Sequence, residues 1–200
     1  MMNQAAINAC VWRAYAKAAA VLGVSGEQYR PVDALAPMAQ QHAQPILSFD
    51  VSSGFSFSKP LTWGTATEYV LTDLGSDTAV GDILVCQGRT YFVVSAEPMR
   101  PPACILCNHR VTVSGVTGTQ GDVVEGCPAS ILMKAKGESS GSGVPGASRP
   151  GQFMLYLPLL PGVVLSPYMT VTTDLGTTYT LNAVEHSGFG VRCTMSMQQV

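Results

Sequence analysis

The chain has 200 residues, a formal net charge of −2, and charged residues at only 12% of the total, against about 25% in an ordinary soluble domain. Its eleven Lys and Arg residues are scattered, which argues against nucleic-acid binding by phosphate neutralisation. No apolar run reaches the roughly 18 residues of a membrane span, and an N-terminus without a basic start, interrupted by Arg13 and Lys17, does not read as a signal peptide.

Hydrophobic residues make up 46% of the sequence, with 20 Gly and 13 Pro. So few charges thinly cover a monomer's surface, so part of that surface is expected to lie against other protein chains, with a sticky monomer as the alternative. Cys10, Cys86, Cys104, Cys107, Cys127 and Cys193 are too dispersed for a disulfide framework and read as buried free thiols. A protein of the cytosol, or one assembled there, is the simplest expectation.

Residues 3–22 read as one long helix, with Asn3 as N-cap and Gly23 as the C′ residue. Ile7, Val11, Ala14 or Tyr15, Ala18 and Leu22 recur at three- and four-residue spacing, and the intervening alanines would let another backbone approach closely. That stripe can pack on the helix's own β domain or on a neighbouring subunit. From Ser25 to Pro45 periodicity is lost and Pro31, Pro37 and Pro45 favour an extended arm. Within it Tyr29 and Arg30 can anchor the arm, one buried and one paired, or belong to a solvated linker.

The remainder has β texture. Strands are expected at Ile46–Val51, Phe55–Ser58 and Thr65–Leu71, and a hairpin over 83–96 hinges at Gln87-Gly88. Ala103–Val113 is the longest strand candidate, followed by a Gly/Thr-rich connection over Ser114–Gly126 and strands at Ile131–Lys136, Gln152–Leu157 and Phe189–Met197. The hairpin recurs: a gapless shift of 88 residues places Gly88 on Gly176, Thr90 on Thr178, Tyr91 on Tyr179 and Glu97 on Glu185. Two similar hairpins in one frame suggest duplication of a small β module, and turn chemistry alone can also produce the likeness.

The expected fold is therefore mainly β, one or two small barrel or sandwich modules behind a long N-terminal helix and an extended arm. Its parts are 1–45 (helix and arm), 46–136 (first β module), 137–150 (Gly/Ser/Pro loop) and 151–200 (second β module). The second module either stands alone or completes one barrel with the first.

Motifs with chemistry are few. Gly137-Glu138-Ser139-Ser140-Gly141 matches G-x-S-x-G, but Ser-Gly-Val-Pro-Gly follows where a hydrolase needs a helix, so Ser139 and Ser140 read as loop residues. Cys104 and Cys107 form a C-x-x-C near His109. Structural zinc usually takes a second pair, and residues three apart in a strand point to opposite faces. His42, His109 and His186 lie in separate contexts, and Asp73, Asp77 and Asp82 flank turns without calcium-loop spacing. No catalytic residue, cofactor or metal site is expected.

One resemblance stands on several motifs together. They are an Ala-rich helix ending Val-Leu-Gly, Tyr29-Arg30-Pro31, Gly81-Asp82-Ile83-Leu84-Val85, Thr90-Tyr91-Phe92-Val93-Val94-Ser95, Cys107-Asn108-His109-Arg110-Val111 and Pro158-Leu159-Leu160-Pro161-Gly162. The chain resembles small virion proteins of tailed bacteriophages, and its hairpin is similar to the β-barrel of head–tail joining proteins. It departs in size, with two hairpins and a long helix where simple joining proteins have one barrel.

The resemblance implies a ring-forming adaptor, stopper or neck protein of the virion, assembled in the host cytoplasm. Its partners would be copies of itself and the portal, adaptor or tail proteins, with DNA passing through the channel without specific binding. A tail or collar protein that attaches fibres is the alternative, and a serine hydrolase centred on the G-x-S-x-G at 137–141 is a second, disfavoured one. The expected interface residues are Ile7, Val11, Tyr15, Ala18, Leu22, Tyr29 and Arg30.

Overall fold

The cap residues set the first element. Helix α1 spans Gln4–Leu22; the Asn3 side chain accepts from the Ala5 N–H at 3.4 Å, and the Gly23 N–H closes the last turn on the Ala19 carbonyl at 2.7 Å. The structure, a computed structural model, describes residues 3–55, 66–116, 121–135 and 151–198. Gly23 does not take the left-handed conformation expected of a C′ glycine; its backbone is extended, with φ −87° and ψ 168°. Space explains the glycine instead, because a Cβ there would lie 2.6 Å from the Ala19 oxygen and 2.8 Å from Ile46 Cγ2.

The chain is mainly β, with this one N-terminal helix, a curled half-barrel and a closed six-stranded barrel. The half-barrel contains β1 (Val24–Ser25), β2 (Glu27–Tyr29), β3 (Gln41–Ala43), β4 (Ile46–Asp50), β5 (Thr67–Thr72), β6 (Ile83–Cys86), β7 (Arg89–Ser95) and β8 (Ala103–Cys107), in the order β1-β4-β5-β8-β7-β6-β2-β3. The barrel contains β9 (His109–Ser114), β10 (Asp122–Ala135), β11 (Gln152–Leu157), β12 (Thr170–Thr173), β13 (Thr178–Ser187) and β14 (Gly190–Met197), closed as β10-β11-β14-β13-β12-β9. All the pairings are antiparallel.

The two sheets share one plan. In the barrel, β9 pairs with β12 on one side and β10 on the other. In the half-barrel the segment 24–29 does the same job in two pieces, β1 on β4 and β2 on β6. Beyond that, β4, β5, β6, β7 and β8 pair among themselves as β10, β11, β12, β13 and β14 do. Gly26 sits where the split strand crosses: a Cβ there would lie 2.5 Å from Leu47 Cδ1 and 2.8 Å from the Val85 oxygen.

The repeated hairpins occupy equivalent places, and Tyr91 and Tyr179 both enter a core. Their registers differ by one residue. Gln87 (φ 51°) and Gly88 (φ 75°) make a two-residue turn, whereas Asp174-Leu175-Gly176 makes a three-residue loop with Gly176 at φ 79°. The gapless 88-residue alignment therefore breaks across the turn.

Two expectations change. Ala103–Val113 is not one strand: it divides at Asn108 into β8 of the half-barrel and β9 of the barrel. The Asn108 side chain bonds both the Ile131 carbonyl and the Ile131 N–H at 2.8 Å, fixing the crossover. The longest strand is β10, which begins at Asp122 inside the expected Gly/Thr-rich connection. Strands β9 and β10, from the 46–136 part, close one barrel with the strands of 151–200, as in the alternative where the second part completes a barrel with the first. The 137–150 stretch, with Ser139 and Ser140, lies outside the described residues, as do 56–58 of the strand expected at Phe55–Ser58.

The barrel core is a large apolar cluster with Val111, Leu155, Leu157, Leu181 and Met195 at its centre. The half-barrel core is smaller, built on Leu47, Val70, Leu84, Tyr91, Val93 and Cys104. Helix α1 lies on β4 and β5 and buries only Ala16 and Ala19 fully.

Candidate functional site at the mouth of the half-barrel

Strand β5 carries the unusual residue. Alternation along Thr67–Thr72 turns Glu68, Val70 and Thr72 to one face, and all three are buried. Glu68 stands opposite Cys104 of β8, which in turn stands opposite Val93 of β7, so its carboxyl enters the same core as Tyr91 and Val93. Only 3% of Glu68 is exposed, and its Oε1 has no hydrogen-bond donor among the described residues.

Around it is a cavity of about 240 Å³ lined by Leu22 and Val24 at the end of α1, Ser48 and Phe49 of β4, and Cys86, Gln87, Arg89 and Tyr91 of the first hairpin. Phe49 stacks on Tyr91, ring centroids 3.9 Å apart and planes 10° apart, which fixes the phenol beside the acid. Burial raises the Glu68 carboxyl above the ordinary range, with Asp50 adding repulsion and the Tyr91 hydroxyl and Arg89 guanidinium partly opposing it. Burial also pushes the Tyr91 phenol up to about 12 and raises the Cys86 thiol. The result is a small polar recess in an apolar wall, with a carboxyl oxygen at its inner end.

The ladders identify what occupies the same position in the barrel. Val93 corresponds to Leu181, their partners Cys104 and Met195 correspond, and opposite those stand Glu68 and Phe153. Phe153 packs edge-on to Tyr179, centroids 5.1 Å apart, and adjoins the barrel core. A carboxyl thus replaces an aromatic ring at one of two equivalent positions.

The anticipated interface residues fall in two places. On α1, Ile7, Val11, Tyr15 and Ala18 are half-buried along the flank of the docked face, Leu22 is 49% exposed, and the Tyr15 hydroxyl donates to the Met99 carbonyl at 3.2 Å. Tyr29 and Arg30 lie in and beside β2. The Tyr29 hydroxyl meets Glu27 at 2.7 Å. Arg30 grips the buried Asp82 through Nε at 2.8 Å and Nη2 at 2.9 Å, and reaches Asp77 at 3.0 Å. Gln28 and the Ala79 N–H complete the Asp82 carboxylate at 2.7 and 2.8 Å, and His42 joins Asp77 at 2.9 Å. Arg30 is thus the anchor of the arm rather than part of a solvated linker, and the arm forms short strands rather than running free.

The remaining candidates separate. Cys104 lies in the half-barrel core while Cys107 points the other way, toward Cys127, and burial raises all three thiols. His109 pairs with Asp174 at 3.2 Å, and His186 meets the Leu165 carbonyl at 3.1 Å. Among the described residues no three His, Cys, Asp or Glu side chains gather as a metal site would require. Sequence reasoning passed over Glu68, although its parity with Val70 in an alternating strand was the available signal.

No protein-family model matches the chain, and no curated protein and no solved structure matches it.

Proposed function

We propose that the chain is a structural component of a tailed-phage virion, a ring-forming connector between head and tail whose work is shape complementarity rather than catalysis. The observation that carries this reading is an apolar end on the barrel. A Cβ on Gly190 would lie 2.5 Å from the Leu157 oxygen and 3.5 Å from the Leu159 nitrogen, so the loop after β11 and the turn before β14 adjoin. Leu159, Val164 (74% exposed), Tyr168 (73%) and Phe189 (62%) stand in water in those two connections. A chain with only 12% charged residues has little else with which to cover such a surface, and another protein chain is the natural cover.

The duplicated plan supports the same reading. Two modules of one topology in each subunit supply two different faces, the requirement for a head-to-tail contact that closes as a ring. A net charge of −2 suits a channel wall past which DNA slides. The test is the composition of phage particles induced from a strain carrying the gene. The protein should co-purify with filled particles at a fixed copy number, and particles made without it should accumulate as separate heads and tails. Its absence from particles that assemble normally would end this reading.

A further inference from the structure

We propose that the mouth of the half-barrel is a binding site for one cationic alkyl group, an ammonium or guanidinium on an aliphatic stem. The recess has the two parts such a group needs. Leu22 and Val24, both exposed, and the ring of Phe49 form an apolar rim for the stem. Behind them Glu68, 3% exposed and with Oε1 unpartnered among the described residues, offers an acceptor, with the Tyr91 hydroxyl beside it. At about 240 Å³ the space is smaller than the roughly 300–1,000 Å³ of drug-sized pockets and suits one side-chain-sized group.

The barrel shows that folding does not require an acid here. At the equivalent position it uses Phe153, packed on Tyr179, and its core is continuous. A carboxyl kept in such a place costs stability unless a partner of opposite charge or a hydrogen-bond donor meets it. The chain's own Arg89 lies at the rim, beside Tyr91 and exposed. Its chief interaction is with the Tyr91 hydroxyl, and its attraction to Glu68 is weaker.

Two sources can supply the cation: a Lys or Arg side chain of a second copy, or a free amine. The chain carries exposed cations of its own, Arg13 and Lys17 on α1. If a second copy supplies the group, the site deepens the assembly reading and rests on it; binding of a small probe does not.

The experiment titrates n-butylguanidinium into the full chain and its variants by calorimetry, and in the wild type also follows the ¹³C shift of the Glu68 carboxyl. Saturable binding is expected, weakened about tenfold or more by Glu68→Gln and abolished by Glu68→Phe. Leu22→Ser, at an exposed position, is expected to weaken binding about threefold without touching the core. Circular dichroism should show all variants folded, Glu68→Phe because the other module already uses that ring.

No saturable shift in the wild-type protein, or equal binding by Glu68→Gln, overturns the site. Binding that appears only in Arg89→Gln also overturns it, since Arg89 would then be the carboxyl's own partner. Where the probe binds, loss of self-association in Glu68→Gln assigns the cation to a second copy, and unchanged association assigns it to a free amine.

Discussion

Gly26 and Gly88 separate two reasons for a glycine. At Gly26 the limit is space, because an added methyl group meets the Val85 carbonyl oxygen, which cannot rotate away, as well as Leu47. Gly26→Ala should destabilise the protein by about 1–3 kcal/mol in urea denaturation, through overpacking where the split strand crosses. At Gly88 nothing lies within 4 Å and only the positive φ is at stake, so Gly88→Ala should cost about 1 kcal/mol. A larger loss at Gly88 than at Gly26 would contradict this distinction. Glu68 gives a pH signature. Its raised carboxyl keeps its proton longer when folded, so its contribution to stability is present below the ordinary carboxyl value of 4.5 and is lost as pH rises through the folded value. Glu68→Gln lacks that loss, so its stability relative to wild type should grow from pH 4 to pH 7.5. Parallel pH profiles for the two proteins would show that the carboxyl is not desolvated.

At the scale of elements, the arm and the helix are held by different means. Arg30→Ala strips Asp82 of its charged partner and leaves a buried carboxylate on Gln28 and one backbone N–H, which should cost about 3 kcal/mol and release β2 and β3 from β6. Chemical denaturation with amide exchange over 27–43 would read both effects. Helix α1, with only Ala16 and Ala19 fully buried, should exchange its amides well before β10, β11 and β14 do. Comparable protection in α1 would mean that other contacts hold it. The helix and β11 were legible because Asn3 and the apolar run of Gln152–Leu157 are local signals. The break at Asn108 was not. Its cause is a pair of hydrogen bonds to Ile131, remote in sequence, inside an apolar run that reads as continuous. Arg30 as an anchor was half legible: the residue stood out, but its partners Asp77 and Asp82 lie across a loop that spacing does not connect.

For the whole molecule, the hairpin likeness in the sequence reported a larger repeat than it displayed. Six strand positions recur in the same order, but one extra residue in the Asp174–Gly176 loop and the splitting of the first strand at Gly26 hide the correspondence from a gapless alignment. The parity of Glu68 with Val70 marked it as inward-facing, but that it takes the place of an aromatic ring shows only beside Phe153. The central claim is that this double module works by self-assembly through its exposed apolar end. Light scattering on the full chain at rising concentration, in parallel with a Val164→Ser/Phe189→Ser variant, tests it most directly. The account predicts a mass that rises to a fixed multiple of 21.0 kDa for the wild-type chain, and a variant that stays at one copy. A wild-type protein that remains at 21.0 kDa at every concentration, or a variant that assembles equally well, would contradict it.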